Sequence, residues 1–280
     1  MRLLTEQTDY YSTIKMAQQL RGEHEQPVRF HCYWKGNLNE KHLYSILSCC
    51  HFNCPQHSVT LWLENNKPNI YNDSIAKLAT IEKFDLQKEL QKLPFRPVCH
   101  KPWNVQLFSD MARMIILYTY GGCWFDLDCM FLRNFNPLFA LVGDDIAVYQ
   151  WSTKNFPNNA VLISLQKQSV RLKSNIEFII ERNRGWGFRE AQLTYDTPMD
   201  LLVLPCSWFD AAWLANVEFN IRDLHRQFFS KTRRSVDLNS FFPGAFTFHW
   251  HNGWHHRVHS SSVCRQLVAL MSSDTATLPS

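Results

Sequence analysis

Two aspartates one residue apart, Asp126 and Asp128, lie within the apolar run YGGCWFDLDCMF (120–131). If the run is extended, alternation sends Trp124, Asp126 and Asp128 to one side and Cys123, Phe125, Leu127 and Cys129 to the other. Two carboxylates on one face, about 6–7 Å apart at their Cα atoms, repel one another, and withdrawing them from water is costly. A divalent cation between them, or just beyond the second, removes that conflict. Oxygen ligation of this kind suits Mg²⁺ or Mn²⁺, ions that commonly share their coordination with substrate phosphates. The plain alternative is an acidic strand end facing water, because D-x-D alone is a weak signal.

Several elements must hold this pair. Residues 104–120, NVQLFSDMARMIILYTY, are apolar almost all round and predict a buried helix, stopped by Gly121 and Gly122. WFDLDCMFL then reads as a strand. Upstream, VRFHCYW (28–34) and SVTLWLEN (58–65) read as strands flanking a helix at 38–50 that Asn37 or Asn39 can cap. DIAVYQW (145–151) and NAVLISL (159–165) are further strands. Residues 73–93 are mixed and amphipathic, and residues 169–183 are helical. A Pro-punctuated stretch (198–210), the run FTFHWHNGWHH (246–256) and a short helix near 261–271 complete the chain. Strand–helix alternation of this kind predicts an α/β sheet with crossovers. No repeat or linker divides it. The expected layout is an N-terminal helical extension (1–26), one domain (27–272) and a flexible tail (273–280).

With 280 residues the chain can bury a sizeable core, and 45% hydrophobic residues exclude a disordered one. Twenty Phe and ten Trp exceed ordinary use, and surplus Trp suits a site that stacks on rings or sugar faces. The net charge of +4 is mild. The short clusters RNRGWGFR (182–189) and KTRR (231–234) read as solvated surface able to attract an anionic substrate, and nothing demands nucleic acid. The nine cysteines are scattered and several sit in apolar strands, which points to reduced, buried thiols in a cytosolic protein. Cys50, Cys54 and His57 make a faint zinc pattern without a second ligand pair. The N-terminus has no signal-peptide core, and no apolar run approaches a membrane span. A soluble, cytoplasmic protein is expected.

The context of the carboxylates is more specific than the pair itself: S-D-x-x-R on a buried helix, then Y-G-G, an aromatic residue and D-x-D. The block SDMARMIILYTYGGCWFDLDCMFL resembles the signature of DXD-containing glycosyltransferases of the GT-A fold. It is similar to a group that includes certain mannosyltransferases, the α-1,4-galactosyltransferases and the glucosylating bacterial toxins. The small xylosyltransferases of large DNA viruses are a related set. PVRFHCYWKG (27–36) resembles that group's first strand, and FHWHNGW (248–254) its C-terminal His/Trp element.

The resemblance implies a Rossmann-like nucleotide-sugar-binding sheet flanked by helices, closed by an irregular C-terminal segment. It implies a UDP-sugar donor, UDP-xylose among the candidates, and an oligosaccharide or glycoprotein glycan as acceptor. Asp128 is then the direct metal ligand, and Asp126 reaches the metal through water or holds the ribose. Asp110 and Arg113 face the donor sugar, against the alternative of an ordinary i,i+3 ion pair. Trp34 stacks on uracil, against the alternative of a core Trp. Trp124 lies beside the diphosphate or sugar. Asn159 reaches into the donor site or merely starts a strand. His249 is the third metal ligand, His251 its reserve, and Trp254 contacts the leaving phosphate. A nitrogen ligand favours Mn²⁺. Where relatives carry Gly-Pro, this chain reads TYDTPMD (194–200). Asp196 there is either a general base for an inverting reaction or a helix cap. Rival readings are a lectin-like module, which leaves the S-D-x-x-R helix unexplained, and a metal-dependent phosphotransferase or nuclease, which needs more converging acids.

Overall fold

The computed structural model describes residues 2–3, 10–65, 67–95, 105–150, 157–182, 201–210, 228–238 and 241–272. Its strands are β1 (Arg2–Leu3), β2 (Arg29–Lys35), β3 (Ser58–Glu64), β4 (Thr80–Lys83), β5 (Gly122–Phe125), β6 (Cys129–Phe131), β7 (Ile146–Gln150), β8 (Pro157–Ser164), β9 (Leu201–Leu204) and β10 (Thr247–His249). Its helices are α1 (Tyr10–Gln19), α2 (Glu40–Asn53), α3 (Ile70–Ala76), α4 (Leu86–Gln91), α5 (Val105–Tyr120), α6 (Asn136–Val142), α7 (Val170–Arg182) and α8 (Val263–Ser272).

The main sheet has the order β1-β9-β7-β8-β5-β2-β3-β4. Only β8 runs antiparallel to its neighbours, β5 and β7; every other pairing is parallel. The chain builds β2, β3 and β4 toward one edge, then returns and places β5 on the opposite side of β2. In open α/β sheets such a reversal leaves a crevice at the carboxyl ends of the two strands, where ligands bind. Here those ends are Tyr33-Trp34-Lys35 and Phe125-Asp126.

Alternation sorts the strand residues onto two faces. Cys123, Phe125, Val161, Ile163, Leu202 and Leu204 pack with α2 and α6 on one face. Trp124, Leu162, Leu201 and Val203 pack with α4, α5 and α7 on the other. A third, aromatic core holds Phe228, Phe241, Phe242, Phe248 and Trp250 against α8. Asn39 caps α2: its side chain accepts from the Lys41 N–H, while the His42 ring accepts from the Asn39 N–H. Asn37, the other candidate, instead binds the Lys67 N–H.

One expectation changes. WFDLDCMFL is not one strand. β5 ends at Phe125, Asp126–Asp128 form a turn, and β6 leaves the main sheet to pair antiparallel with β10. The cause is tertiary: β10 offers β6 a partner that the main sheet cannot. The Pro-punctuated stretch contains a buried strand, β9. At the N-terminus β1 pairs with β9, and the Trp208 indole N–H and Ser207 hydroxyl bond Thr13 of α1. His57 gives both ring nitrogens to structural bonds, with the Val28 N–H and Asn136 Oδ1, so the Cys50/Cys54/His57 pattern serves the fold. The eight described cysteines are free thiols. Among the described residues no helix is long and apolar enough to cross a membrane.

Candidate active site

The site begins with α5 and the glycines after it. Gly121 ends the helix at φ +66, its N–H bonded to the Leu117 carbonyl. Gly122 follows at φ +110, pressed so closely on β2 that a Cβ would collide with the Arg29 carbonyl oxygen. Only glycine meets both demands. The turn fixes β5 beside β2 and delivers Asp126 and Asp128 to the switch-point crevice, a cavity of about 550 Å³. Trp34, Asp110, Arg113, Asp126, Asp128, Asn159, His249, His251 and Trp254 all line it.

Arg113 organises one wall. Its guanidinium donates to the Asn159 carbonyl (2.6 Å) and Asn159 Oδ1 (2.7 Å), and lies 3.5 Å from Asp110 Oδ1 and 3.2 Å from Asp126 Oδ1. One buried cation thus ties α5 to β8 and to the acidic turn. The Asp126 Oδ1 also accepts from the Trp124 indole (2.8 Å). Trp124 is not on the cavity wall: it faces the α5 side of β5, 1% exposed, and acts on the site from beneath through that bond. Burial raises the Asp126 carboxyl above its ordinary range, and Arg113 opposes the rise.

Asp128 belongs to the opposite wall. The β6–β10 register sets Cys129 against His249, and the Trp250 N–H bonds the Asp128 carbonyl. His249 Nε2 therefore sits 3.2 Å from Asp128 Oδ2. Beyond it the backbone turns through three left-handed residues, His251, Asn252 and Gly253 (φ 53, 68 and 33). Two of them are not glycine, a conformation that costs energy and concentrates at functional sites. The turn aims the Asn252 N–H at Asp128 Oδ2, at 2.6 Å. Burial by itself would raise the Asp128 carboxyl; the His249 charge, the His249 hydrogen bond and the Asn252 N–H together bring it down to about 2.

Sequence reasoning missed the residue behind His249. Asp210, fully buried, accepts from His251 Nε2 at 2.9 Å and from the Tyr149 hydroxyl at 3.4 Å. Tyr149 in turn lies 3.1 Å from His249 Nδ1, which is 3.6 Å from Asp210 Oδ2. His249 Nδ1–H can donate to Tyr149, Tyr149 to Asp210, and, when the ring is protonated, Nε2–H to Asp128. Burial opposes charge on His249, but Asp128 and Asp210 raise its pKa well above 6.5; burial and the His249 charge lower that of His251. The signal for Asp210 was legible: a lone carboxylate in the aromatic stretch CSWFDAAW, the reasoning that singled out the D-x-D. The Asn252 N–H has no sequence signal at all.

Trp34 and Trp254 form the third wall. Their rings lie 4.8 Å apart, and His42 stacks on Trp254 at 4.5 Å beneath them. Burial lowers His42 to a pKa of about 3, so an uncharged ring supports this aromatic shelf. Asp196 lies outside the described residues.

Asp128 and His249 fit a divalent ion. On an octahedral ion, bonds of about 2.1 Å at right angles put neighbouring ligand atoms about 3 Å apart, and Asp128 Oδ2 and His249 Nε2 are 3.2 Å apart. Asp128, Cys129 and His249 group ligand atoms closely, as do Asp210, His249 and His251.

Residues 39–141 match the family described as the glycosyltransferase sugar-binding region containing the DXD motif. No curated protein matches the chain. Among solved structures, the glycosyltransferase GlyE of Streptococcus pneumoniae TIGR4 overlaps 88% of this chain at a TM-score of 0.51 and 12% identity. Its apo form does so at 0.50 and 13%. The chain spans 60% of the length of either. Mouse xyloside xylosyltransferase 1, in its apo form, overlaps 80% of this chain and 98% of its own at 16% identity and a TM-score of 0.45. Residues 39–141 thus match the sugar-binding region of DXD-containing glycosyltransferases, and the mixed sheet with its acidic turn at the switch point shares the fold of GlyE.

Proposed function

We propose that the chain transfers a sugar from a UDP-sugar to a hydroxyl of a glycan, with a divalent ion, Mn²⁺ before Mg²⁺, held by Asp128 and His249. The observation that carries this reading is the 3.2 Å approach of Asp128 Oδ2 to His249 Nε2 in the wall of the switch-point cavity. When bound, the ion offsets charge developing on the departing diphosphate. A carboxylate with an imidazole favours Mn²⁺ over Mg²⁺, which prefers oxygen alone.

The chain's own residues do the rest. Asp210 and Tyr149 fix the proton on His249 Nδ1 and leave Nε2 directed at Asp128. Asp126, held by Arg113 and Trp124, keeps one edge toward the cavity for a ribose hydroxyl or a metal-bound water. Asp110, Arg113 and Asn159 form a polar wall suited to sugar hydroxyls. Trp34, at the end of β2, offers the uracil ring a stacking face, an interaction worth about 1–3 kcal/mol per base. Trp254 closes the shelf where the diphosphate leaves. Asp196 remains the proposed base for an inverting transfer, and the anomer of the product against that of the donor decides it.

Hydrolysis of a UDP-sugar panel with and without Mn²⁺ tests the reading. The expected outcome is Mn²⁺-dependent release of UDP from one or two sugars. Release that persists unchanged in chelator, or no binding of UDP under any condition, overturns it.

A further inference from the structure

A second cavity, of about 660 Å³, lies in the C-terminal part, lined by Phe229, Ser230, Lys231, Arg257, Val258, His259, Ser260 and Arg265. Three of these are permanent cations and none is acidic. Arg265 meets Glu40 at 2.8 Å. Lys231 and Arg257 have no acidic partner among the described residues. Arg233 and Arg234 extend the charge in the run KTRR, whereas the whole chain carries only +4. A concentration of this kind costs self-repulsion unless an anion relieves it.

The frame beneath these cations is ordered by backbone bonds. The His259 N–H bonds the Phe229 carbonyl and the Cys264 N–H bonds the Phe228 carbonyl, both at 2.9 Å. Phe229 and Val258 are buried and form the floor.

This cavity shares a wall with the donor site. The Lys41 ammonium lies 4.0 Å from the Phe229 ring centroid and donates to the Gly253 carbonyl. A Cβ at Gly253 would come 3.3 Å from the Phe229 ring. Gly253 stands between Asn252 and Trp254, which line the donor cavity. One face of the left-handed turn thus meets the nucleotide sugar's site, and the other meets the basic cavity.

We infer that the basic cavity is an acceptor subsite for an anionic group, a phosphate ester or a carboxylate, on the glycan that receives the sugar. The inference rests on the glycosyltransferase reading for its role, while binding at the cavity can be measured alone. Arginine suits both anions through paired N–H donors, and lysine adds a point charge. Ser230 and Ser260 supply hydroxyls for ring oxygens, and Phe229 an apolar floor for a sugar face.

Calorimetric titration of the full chain, with UDP and Mn²⁺ saturating the donor site, tests this at low salt with glucose 6-phosphate, glucuronate and glucose as probes. One or both anions should bind more tightly than glucose. The double variant Lys231→Ala/Arg257→Ala should weaken that binding by at least about tenfold, with UDP affinity, measured separately, unchanged. Equal binding of all three probes, or the same anion affinity in the double variant, overturns the inference. So does a single-stranded oligonucleotide that binds through these cations far more tightly than glucose 6-phosphate. If UDP itself fails to bind, the donor reading falls, and the same titration without UDP still decides whether the cavity takes an anion.

Discussion

Asp126 and Asp128 are separated by one residue, yet they belong to different halves of the molecule. Asp126 is gripped from the helix side, by Arg113 and Trp124, and its carboxyl is raised by burial. Asp128 is gripped from the C-terminal side, by His249 and the Asn252 N–H, and its carboxyl is lowered to about 2. The turn between them is the seam where the main sheet meets the C-terminal segment. An ion at Asp128 therefore reports the C-terminal half, and a hydroxyl at Asp126 reports the helical half. D-x-D, read as one motif, joins two separately built devices.

The comparison breaks most sharply under substitution at each aspartate. Asp128→Asn should abolish Mn²⁺ binding and lower transfer by about 10³-fold, several kcal/mol of charge stabilisation. Asp126→Asn should leave metal affinity within about tenfold and act on donor binding instead. Equal loss of metal affinity at both positions would erase the distinction.

Next in size is Arg113→Met. It leaves Asp110 and Asp126 without their buried cation, a change of the kind that costs about 3–5 kcal/mol. Denaturant unfolding should show the loss even with no ligand present. A variant as stable as the parent would mean that Arg113 does not hold the wall together.

Asp210→Asn probes the other half at longer range. It keeps size and buried position but removes the charge behind Tyr149 and His249. Loss of such a supporting carboxylate lowers metal affinity by about 10–100-fold. Mn²⁺ titration followed by electron paramagnetic resonance checks this, with UDP affinity in chelator expected unchanged.

The smallest effect is pH dependence in metal-free protein. His249 has a pKa raised above 6.5, so its stabilisation is complete below 6.5 and lost as pH rises through the raised value. The melting temperature in chelator should therefore fall as pH climbs above neutrality. The protection given by Mn²⁺ should grow over the same range, because Nε2 must be free of its proton to bind an ion. Asp128 behaves oppositely: its contribution is present above 3.8 and lost as pH falls toward about 2. A melting temperature that rises with pH in chelator would contradict the placement of His249 between two carboxylates.

The helical half was open to reading because its signals are local. S-D-x-x-R on a greasy helix, two glycines and an apolar strand follow one another in sequence, and their spacing carries the geometry. α2, β2, β3, α5 and α7 lie within a residue or a few of their expected bounds for the same reason. The C-terminal half depends on pairing between β6 and β10, more than a hundred residues apart, and no periodicity announces that partner. Its consequences were invisible in turn: the early end of β5, the position of Asp128 in a turn, and the pairing of Asp210, itself conspicuous in CSWFDAAW, with His249. Trp124 shows the limit of alternation. The pattern put it on the side of the aspartates, but β5 stops before them, so the Trp stays in the core while the carboxylates leave it.

The central claim is that Asp128 and His249 together hold the ion that engages the donor's diphosphate. Titrating Mn²⁺ into the full chain with and without UDP, and following free Mn²⁺ by electron paramagnetic resonance, tests it most directly. The account predicts that UDP tightens Mn²⁺ binding in the parent protein and that both Asp128→Asn and His249→Ala lose that binding. Mn²⁺ and UDP that bind as tightly to those variants as to the parent would contradict it.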